Sequence, residues 1–366
     1  METADAVIIG GGCVGTSALY HLASLGCTNV MLLEAETLGA GSTSKAAGGI
    51  RLQHSDEVNT RLALRSLDEF VRFEEMTEVP IDFKQVGYLI LQDNDADVAA
   101  FRTASVAQRK LGVPTEQLDV GAIREMVPQI VVDDLRGATF CALEGYASPE
   151  SVVQGYANAA RRLGAVVRLG RRVTEIRVEG DAVARVVTDR GDIATPAVIL
   201  AAGVHSGALT RPLGYELPVH PEIRSIYFSS SSAGLADAAP LVVDFSTGFY
   251  FHREGGGLIF AGRENAVEDL SEPALKRLPA IADLSIESSW SGAYDMSPDH
   301  NAMIGRATVA GLYYATGFSG HGFMQSPAVG EHLAQLVLGM PTTLDLSSLS
   351  ARRFIESGHR TEQFVI

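Results

Sequence analysis

Four short stretches of the chain are almost wholly apolar: Ala6–Ile9, Val30–Leu33, 197–200 and 313–316. A run that lacks alternating polar positions fits a strand covered on both faces, as in a parallel sheet. Between the first two runs, 14–25 has helical character and ends at Gly26, so strand, helix and strand follow one another within about thirty residues. Residues 57–75 repeat apolar positions at helical spacing through Leu62, Leu64, Leu67, Phe70, Val71 and Phe73. A strand is expected at 87–92 and a helix with a polar face at 98–111. Pro149 opens a further helix over 150–163, and 165–178 reads as strand, turn and strand with Val173 and Ile176 pointing inward. From 218 to 262 the pattern changes to strand segments with aromatic content: 226–228, 248–252 and 258–261. A helix over about 326–338 follows the last apolar run.

The order of these pieces predicts an α/β protein with interleaved parts. A Rossmann-type nucleotide-binding domain is expected from 1–80, 148–215 and 295–366. Segments 81–147 and 216–294 would form an inserted α+β substrate domain on a mixed, largely antiparallel sheet. A length of 366 residues accommodates two domains, and 46% hydrophobic against 20% charged residues describes a packed chain. The net charge of −15 excludes a nucleic-acid backbone or an anionic membrane surface as the natural partner. Cys13, Cys27 and Cys141 are scattered without paired spacing, so no metal site and a reducing, cytoplasmic setting are expected. The acidic N-terminus is unlike a secretory signal, and glycines with His21 interrupt the apolar stretch 6–26, so no membrane span is expected.

Gly10, Gly12 and Gly15, with Glu34 closing the second strand, form a dinucleotide fingerprint. Gly10 permits the tight turn, Gly12 lets backbone approach a pyrophosphate, and Gly15 lets helix and strand close together. The helix N-terminus at Cys13 and Val14 favours the anion, and Glu34 can accept from a ribose hydroxyl. Cys13 itself reads as a small filler. These residues alone leave FAD and NAD both open.

The glycine–serine loop GAGSTSKAAGGIR (39–51), the strand running into Ala201-Ala202-Gly203, and the block from Ser297-Pro298-Asp299 through YYATGFSGHGFMQSPAVGEHLAQL resemble the D-amino-acid oxidase and sarcosine oxidase group of FAD-dependent oxidoreductases. That group includes glycine oxidase and the β subunits of heteromeric sarcosine oxidases and proline dehydrogenases. The resemblance spans nearly the whole chain and implies FAD. It places cofactor contacts on Ala35, on Gly41, Ser42, Thr43, Lys45, Ala47, Gly48, Gly49 and Ile50 of the loop, and on Val173, Ala202 and Gly203. It also places them on Gly317, Phe318, Ser319, Gly320, His321, Gly322, Phe323 and Met324. Independently of any family, glycines at 317, 320 and 322 ahead of a helix let backbone lie against a planar ring and aim a helix dipole at it.

The resemblance implies that Arg51 holds the carboxylate of an amino-acid substrate, and guanidinium is the side chain whose fork matches a carboxylate. Tyr294 and Tyr250 are the aromatic candidates beside the substrate, and His321 is a candidate facing the flavin. Three departures matter. Gly292 stands where monomeric sarcosine oxidase carries its flavin-attaching cysteine, Met324 where it has a second carboxylate-binding lysine, and Ile259 where its oxygen-activating lysine aligns. Non-covalent FAD is therefore expected, with oxygen, a quinone or a partner subunit as electron acceptor. The implied reaction is oxidation of the C–N bond of a small amino acid to an imine. A β-type subunit inactive without partners and a nicotinamide-dependent dehydrogenase are the alternatives, and homo- or hetero-oligomeric assembly is left open.

Overall fold

The computed structural model describes residues 2–356 and 360–365. Its first sheet has six strands in the order Met303–Arg306, Leu312–Thr316, Val198–Leu200, Ala6–Ile9, Val30–Leu33 and Val166–Arg168. All neighbours run parallel except the first pair. Ala6–Ile9 lies in the middle, with the chain leaving to one side for Val30–Leu33 and returning on the other as Val198–Leu200. The strand order reverses there, which opens a crevice at the carboxyl ends of the strands.

The helices Cys13–Ser24, Pro149–Arg162 and Gly322–Val337 share one face of this sheet. The first and last cross closely at Gly330, where an added Cβ would meet Ser17 Oγ at 2.1 Å. The second sheet has eight strands, in the order Ile286–Met296, His220–Ser229, Gly257–Ala261, Tyr250–Glu254, Leu241–Asp244, Tyr88–Gln92, Gly137–Cys141 and Glu116–Leu118. Leu241–Asp244 and Tyr88–Gln92 run parallel and every other pair antiparallel. That parallel pair joins strands from 81–147 and 216–294 into one sheet. Each large sheet has its own apolar core.

Three expected elements shift, and a fourth keeps its expected inward face by a slip of register. The helix anticipated over 57–75 breaks at Arg72 into Glu57–Val71 and Phe73–Thr77, which turns Phe73 inward against Tyr156 at 4.8 Å. The helix expected at 98 starts at Asp95, where Asn94 caps it by accepting from the Asp97 amide. The last helix starts at Gly322 rather than 326. It tolerates Pro327 because Ser326 Oγ donates to the Phe323 carbonyl that the missing N–H would have used. Val173 and Ile176 both face inward, although three residues apart, because the strand Val173–Glu179 slips register between Val173 and Glu175.

A buried ion pair ties the nucleotide helix to the rest. His21 Nε2 lies 3.1 Å from Glu69, whose other oxygen accepts from the Tyr156 hydroxyl at 2.9 Å. Burial pushes the His21 pKa down, but the hydrogen bond and charge of Glu69 outweigh it and the net shift is upward. Burial likewise opposes the charged form of Glu69, yet His21 holds its carboxyl below the ordinary value. The Glu69 contribution appears above its unfolded pKa and is lost as pH falls through the depressed folded value. The His21 contribution is complete below its unfolded pKa and is lost as pH climbs through the raised folded value. Glu69→Gln should therefore destabilise by about 3 kcal/mol near pH 6, the scale for breaking a buried pair, and by clearly less near pH 9. Thermal unfolding of both proteins at the two pH values checks this.

Candidate active site

The crevice at the strand ends is a cleft of about 450 Å³, within the range of cofactor sites. Gly10 adopts φ +111°, and a Cβ there would meet the Ala201 carbonyl oxygen at 2.3 Å. A Cβ on Gly15 would sit 1.9 Å from the Gly10 carbonyl oxygen. These two glycines are therefore demanded by backbone approaching backbone. Gly12 stands as the cap of helix Cys13–Ser24, with no side-chain cap and no acidic residue in the first turn. Thr43 Oγ1 accepts from the Cys13 amide at 3.1 Å. The Glu34 carboxylate accepts from the Gly11 amide at 2.7 Å and the Glu36 amide at 2.8 Å, which fixes it at the cleft edge with lone pairs remaining for a diol.

The far wall comes from 317–322. The Asp295 carboxylate accepts from the Gly317 amide at 2.7 Å, and its carbonyl accepts from the Ser319 amide at 3.0 Å. Burial pushes its carboxyl up to about 6, against the pull of those backbone donors. Gly317, Ser319 and Gly320 all take positive φ, and a Cβ on Gly320 would strike the Tyr294 ring at 2.8 Å. Phe318, Gly320 and Gly322 are the part of this backbone ledge that lines the cleft with the nucleotide glycines. Ala201, of the quoted Ala201-Ala202-Gly203 stretch, also lines the cleft, as do Arg171, Arg172, Val204, His205 and Ser291, which sequence reasoning did not find. Arg171 and Arg172 lie in the turn just before Val173, so their arginine–arginine–valine spacing was the available signal.

The expected cofactor residues divide in two. Gly10, Gly12, Cys13, Val14, Glu34, Ala35, Gly41, Ser42, Thr43, Lys45, Val173, Ala202, Gly203, Phe318, Gly320, Gly322 and Phe323 line the cleft. Gly15, Ala47, Gly48, Gly49, Ile50, Gly317, Ser319, His321 and Met324 stand behind its wall. Gly49 and Ile50 pair with Tyr146 and Gly145, and a Cβ on Gly49 would overlap the Tyr88 hydroxyl at 1.9 Å. Ser319 hydrogen-bonds back to Ser297. These positions shape the wall rather than form its surface. Cys13 is a buried thiol pushed up by desolvation, which agrees with a filler.

Of the catalytic candidates, Tyr294 reaches the cleft, and the Arg224 guanidinium stands 5.8 Å over its ring. Tyr250 lies on the neighbouring sheet, where burial raises its pKa and the nearby Tyr294 hydroxyl adds to the shift. Arg51 is 2% exposed, not on the cleft wall. Its Nη1 donates to the Gln53 carbonyl at 2.8 Å, and its Nη2 donates to the Phe364 carbonyl at 2.8 Å and to His321 Nε2 at 3.0 Å. Glu144 underpins this loop by accepting from the Leu52 and Gln53 amides, and burial pushes its carboxyl up to about 7. Burial and the Arg51 charge push the His321 pKa down to about 3. His321 is thus neutral, accepts from Arg51, and backs the guanidinium instead of facing a ring in the cleft. Among the described residues no cluster of His, Cys, Asp and Glu could hold a metal ion, and no helix is long and apolar enough to cross a membrane.

The glycine cradle, a helix end whose cap residue has no side chain, the ribose-edge carboxylate and the ledge suit an elongated dinucleotide with a planar ring. Comparisons with known proteins agree. The DAO family profile, described as FAD dependent oxidoreductase, matches residues 5–336. The chain is 30% identical to sarcosine oxidase subunit beta of Rhizobium meliloti over 91% of its own length and 84% of that protein. It is 26% identical to the 4-methylaminobutanoate oxidase (formaldehyde-forming) of Paenarthrobacter nicotinovorans, over 98% of its own length. It spans less than half of that relative, 46%. L-proline dehydrogenase from P. horikoshii superposes with a TM-score of 0.92 at 30% identity, covering 98% of this chain and 100% of that one. A nicotinamide-type fingerprint alone would not bring the ledge at 317–322 and the loop before Arg51 together with such matches. The chain belongs to the DAO family of FAD-dependent oxidoreductases, enzymes of the amino-acid oxidase and dehydrogenase class.

Proposed function

We propose that this protein oxidises the C–N bond of a small amino acid, with N-alkyl and cyclic amino acids the first choice, to the imine. The observation that carries this reading is a buried guanidinium, Arg51, which acts electrostatically on the Tyr88 hydroxyl and bonds His321 between the cleft-lining Gly320 and Gly322. The names of the relatives point the same way, since sarcosine and proline both place a carboxylate beside a secondary amine.

FAD, when bound, supplies the hydride acceptor. Gly10, Gly12 and the helix end that Gly15 lets approach would hold its pyrophosphate, Glu34 its ribose, and Phe318 with Gly320 of the ledge its ring. Arg51 holds the substrate carboxylate, while Tyr250 and Tyr294 bound the substrate and keep water from the C–H bond that breaks. The nearby tyrosines are neutral, because burial raises the pKa of Tyr88, Tyr250 and Tyr294. Such a site orients an uncharged amine without needing a strong base. Oxygen-free mixing with sarcosine, proline, glycine and D-amino acids tests the reading: at least one should bleach the flavin, and failure of all would reject it.

FAD is held without a covalent bond in this proposal. A side chain on Gly292 would meet Lys45 Cβ at 2.5 Å, and the buried Cys13 thiol is held in its neutral form. Acid denaturation is expected to leave a colourless pellet and a yellow supernatant; a yellow pellet contradicts it. A second reading, a β-type subunit that hands electrons to a partner, is favoured by the match to a named beta subunit over most of its length. Turnover by the isolated chain with a dye or oxygen separates the two.

A further inference from the structure

Arg51 is held from behind by a part of the chain that the cofactor site does not use. Segment 360–365 returns along the molecule with its backbone pinned at Arg360 and Glu362. Asn301 Nδ2 donates to the Arg360 carbonyl at 2.6 Å, and the Glu362 amide donates to the Asp299 carbonyl at 3.0 Å. The Glu362 side chain is 1% exposed. Its carboxylate accepts from the Ser55 amide at 2.8 Å, Ser55 Oγ at 2.6 Å, the Asp56 amide at 3.2 Å and Asn59 Nδ2 at 2.9 Å. The Phe364 ring stacks on Phe101 at 3.9 Å with 6° between planes. These contacts deliver the Phe364 carbonyl to Arg51 Nη2.

A guanidinium offers two edges on which a carboxylate can be clasped by two nitrogens: Nη1 with Nη2, or Nε with Nη2. Nη2 belongs to both. Its two hydrogens are already given to the Phe364 carbonyl and His321 Nε2. The Nε and Nη1 hydrogens that remain do not share an edge. A carboxylate can therefore touch this arginine at one point, and a two-point clasp requires one of the Nη2 bonds to open.

We infer that segment 360–365 is a latch on Arg51, anchored by Glu362, which the substrate carboxylate displaces from Nη2 to be clasped. The inference rests on the reading of Arg51 as the carboxylate anchor. Glu362 acts through Phe364 and is a positioning residue, without contact to the substrate. Opening the latch draws on the binding energy of the carboxylate, so apparent affinity is lowered by the fraction of molecules that are latched. The device selects for ligands whose carboxylate is strong enough to replace a carbonyl, and discriminates against neutral amides of the same shape.

The test uses the FAD-loaded protein and propionate as the carboxylate probe, with its Kd read from the shift of the visible flavin band. Glu362→Gln loosens the anchor, and Phe364→Ala removes the stacking while keeping the backbone carbonyl. Both are expected to tighten propionate binding by about 3- to 10-fold. Arg51→Lys should weaken binding, and adding Glu362→Gln to it should restore nothing, because an ammonium has no shared edge to free. If Arg51→Lys leaves the Kd unchanged, the anchor reading itself falls. If Arg51→Lys weakens binding while Glu362→Gln and Phe364→Ala leave it unchanged or weaken it, the latch falls alone, and 360–365 is a scaffold. Should Glu362→Gln fail to fold, Phe364→Ala decides by the same outcomes.

Discussion

Gly15→Ala is expected to empty the protein of FAD. The added methyl carbon would lie 1.9 Å from the Gly10 carbonyl oxygen. Backbone at that point cannot rotate away as a flexible side chain would. Relief demands a shift on the order of 1 Å between the helix Cys13–Ser24 and the turn before it, and displacement of that size at a positioned site costs on the order of 100-fold. Both amide-bearing elements that approach the pyrophosphate move, so the loss falls on cofactor affinity, here about 100-fold in Kd. Gly26→Ala is the control. Unlike Gly15 it sits at positive φ, +96°, but it meets no atom within 4 Å and lies at the opposite end of the same helix. Its strain should lower stability modestly and leave FAD content unchanged. Flavin absorbance per protein after gel filtration reads both variants.

Arg51→Ala is the second large effect. A hydrogen bond to a charged group contributes roughly 1.5–3 kcal/mol, so kcat/KM should fall by about 10- to 150-fold. The carboxylate is held alike before and during hydride transfer, which assigns most of the loss to KM. Arg51→Lys should recover part of it. FAD content should remain normal in both variants, because Arg51 stands behind the cleft wall instead of on it. Loss of flavin together with activity would make Arg51 a structural residue, bound only to Gln53, His321 and Phe364.

The parts of this molecule that the sequence makes legible are those set by local chemistry. Gly10, Gly12, Gly15 and Glu34 have their meaning within one strand–helix–strand unit, and their spacing alone describes the cradle. The four apolar runs found their sheet because burial on both faces leaves a compositional mark. The long strand Ile286–Met296 left none: its residues Glu287, Ser288 and Ser289 are exposed along an edge, so no alternation shows. The surroundings of Arg51 were also out of reach. Glu362 and Phe364 lie more than three hundred residues from Ser55 and Arg51, and nothing local in GHRTEQFVI announces where they dock. The same holds for His321, whose glycine-rich setting fits a ring contact as well as the arginine contact that the fold gives it. Tertiary contacts of single polar residues carry no period, and only the folded chain reveals them.

In the proposed reaction hydride leaves the carbon beside the nitrogen of an amino acid and reduces enzyme-bound FAD. Anaerobic stopped-flow reduction, with the amino acid that bleaches the flavin compared with its form deuterated at that carbon, tests it most directly. Bleaching is expected in a single phase that slows several-fold on deuteration. Bleaching at an unchanged rate, or reduction by a nicotinamide cofactor while every amino acid leaves the flavin oxidised, would contradict it.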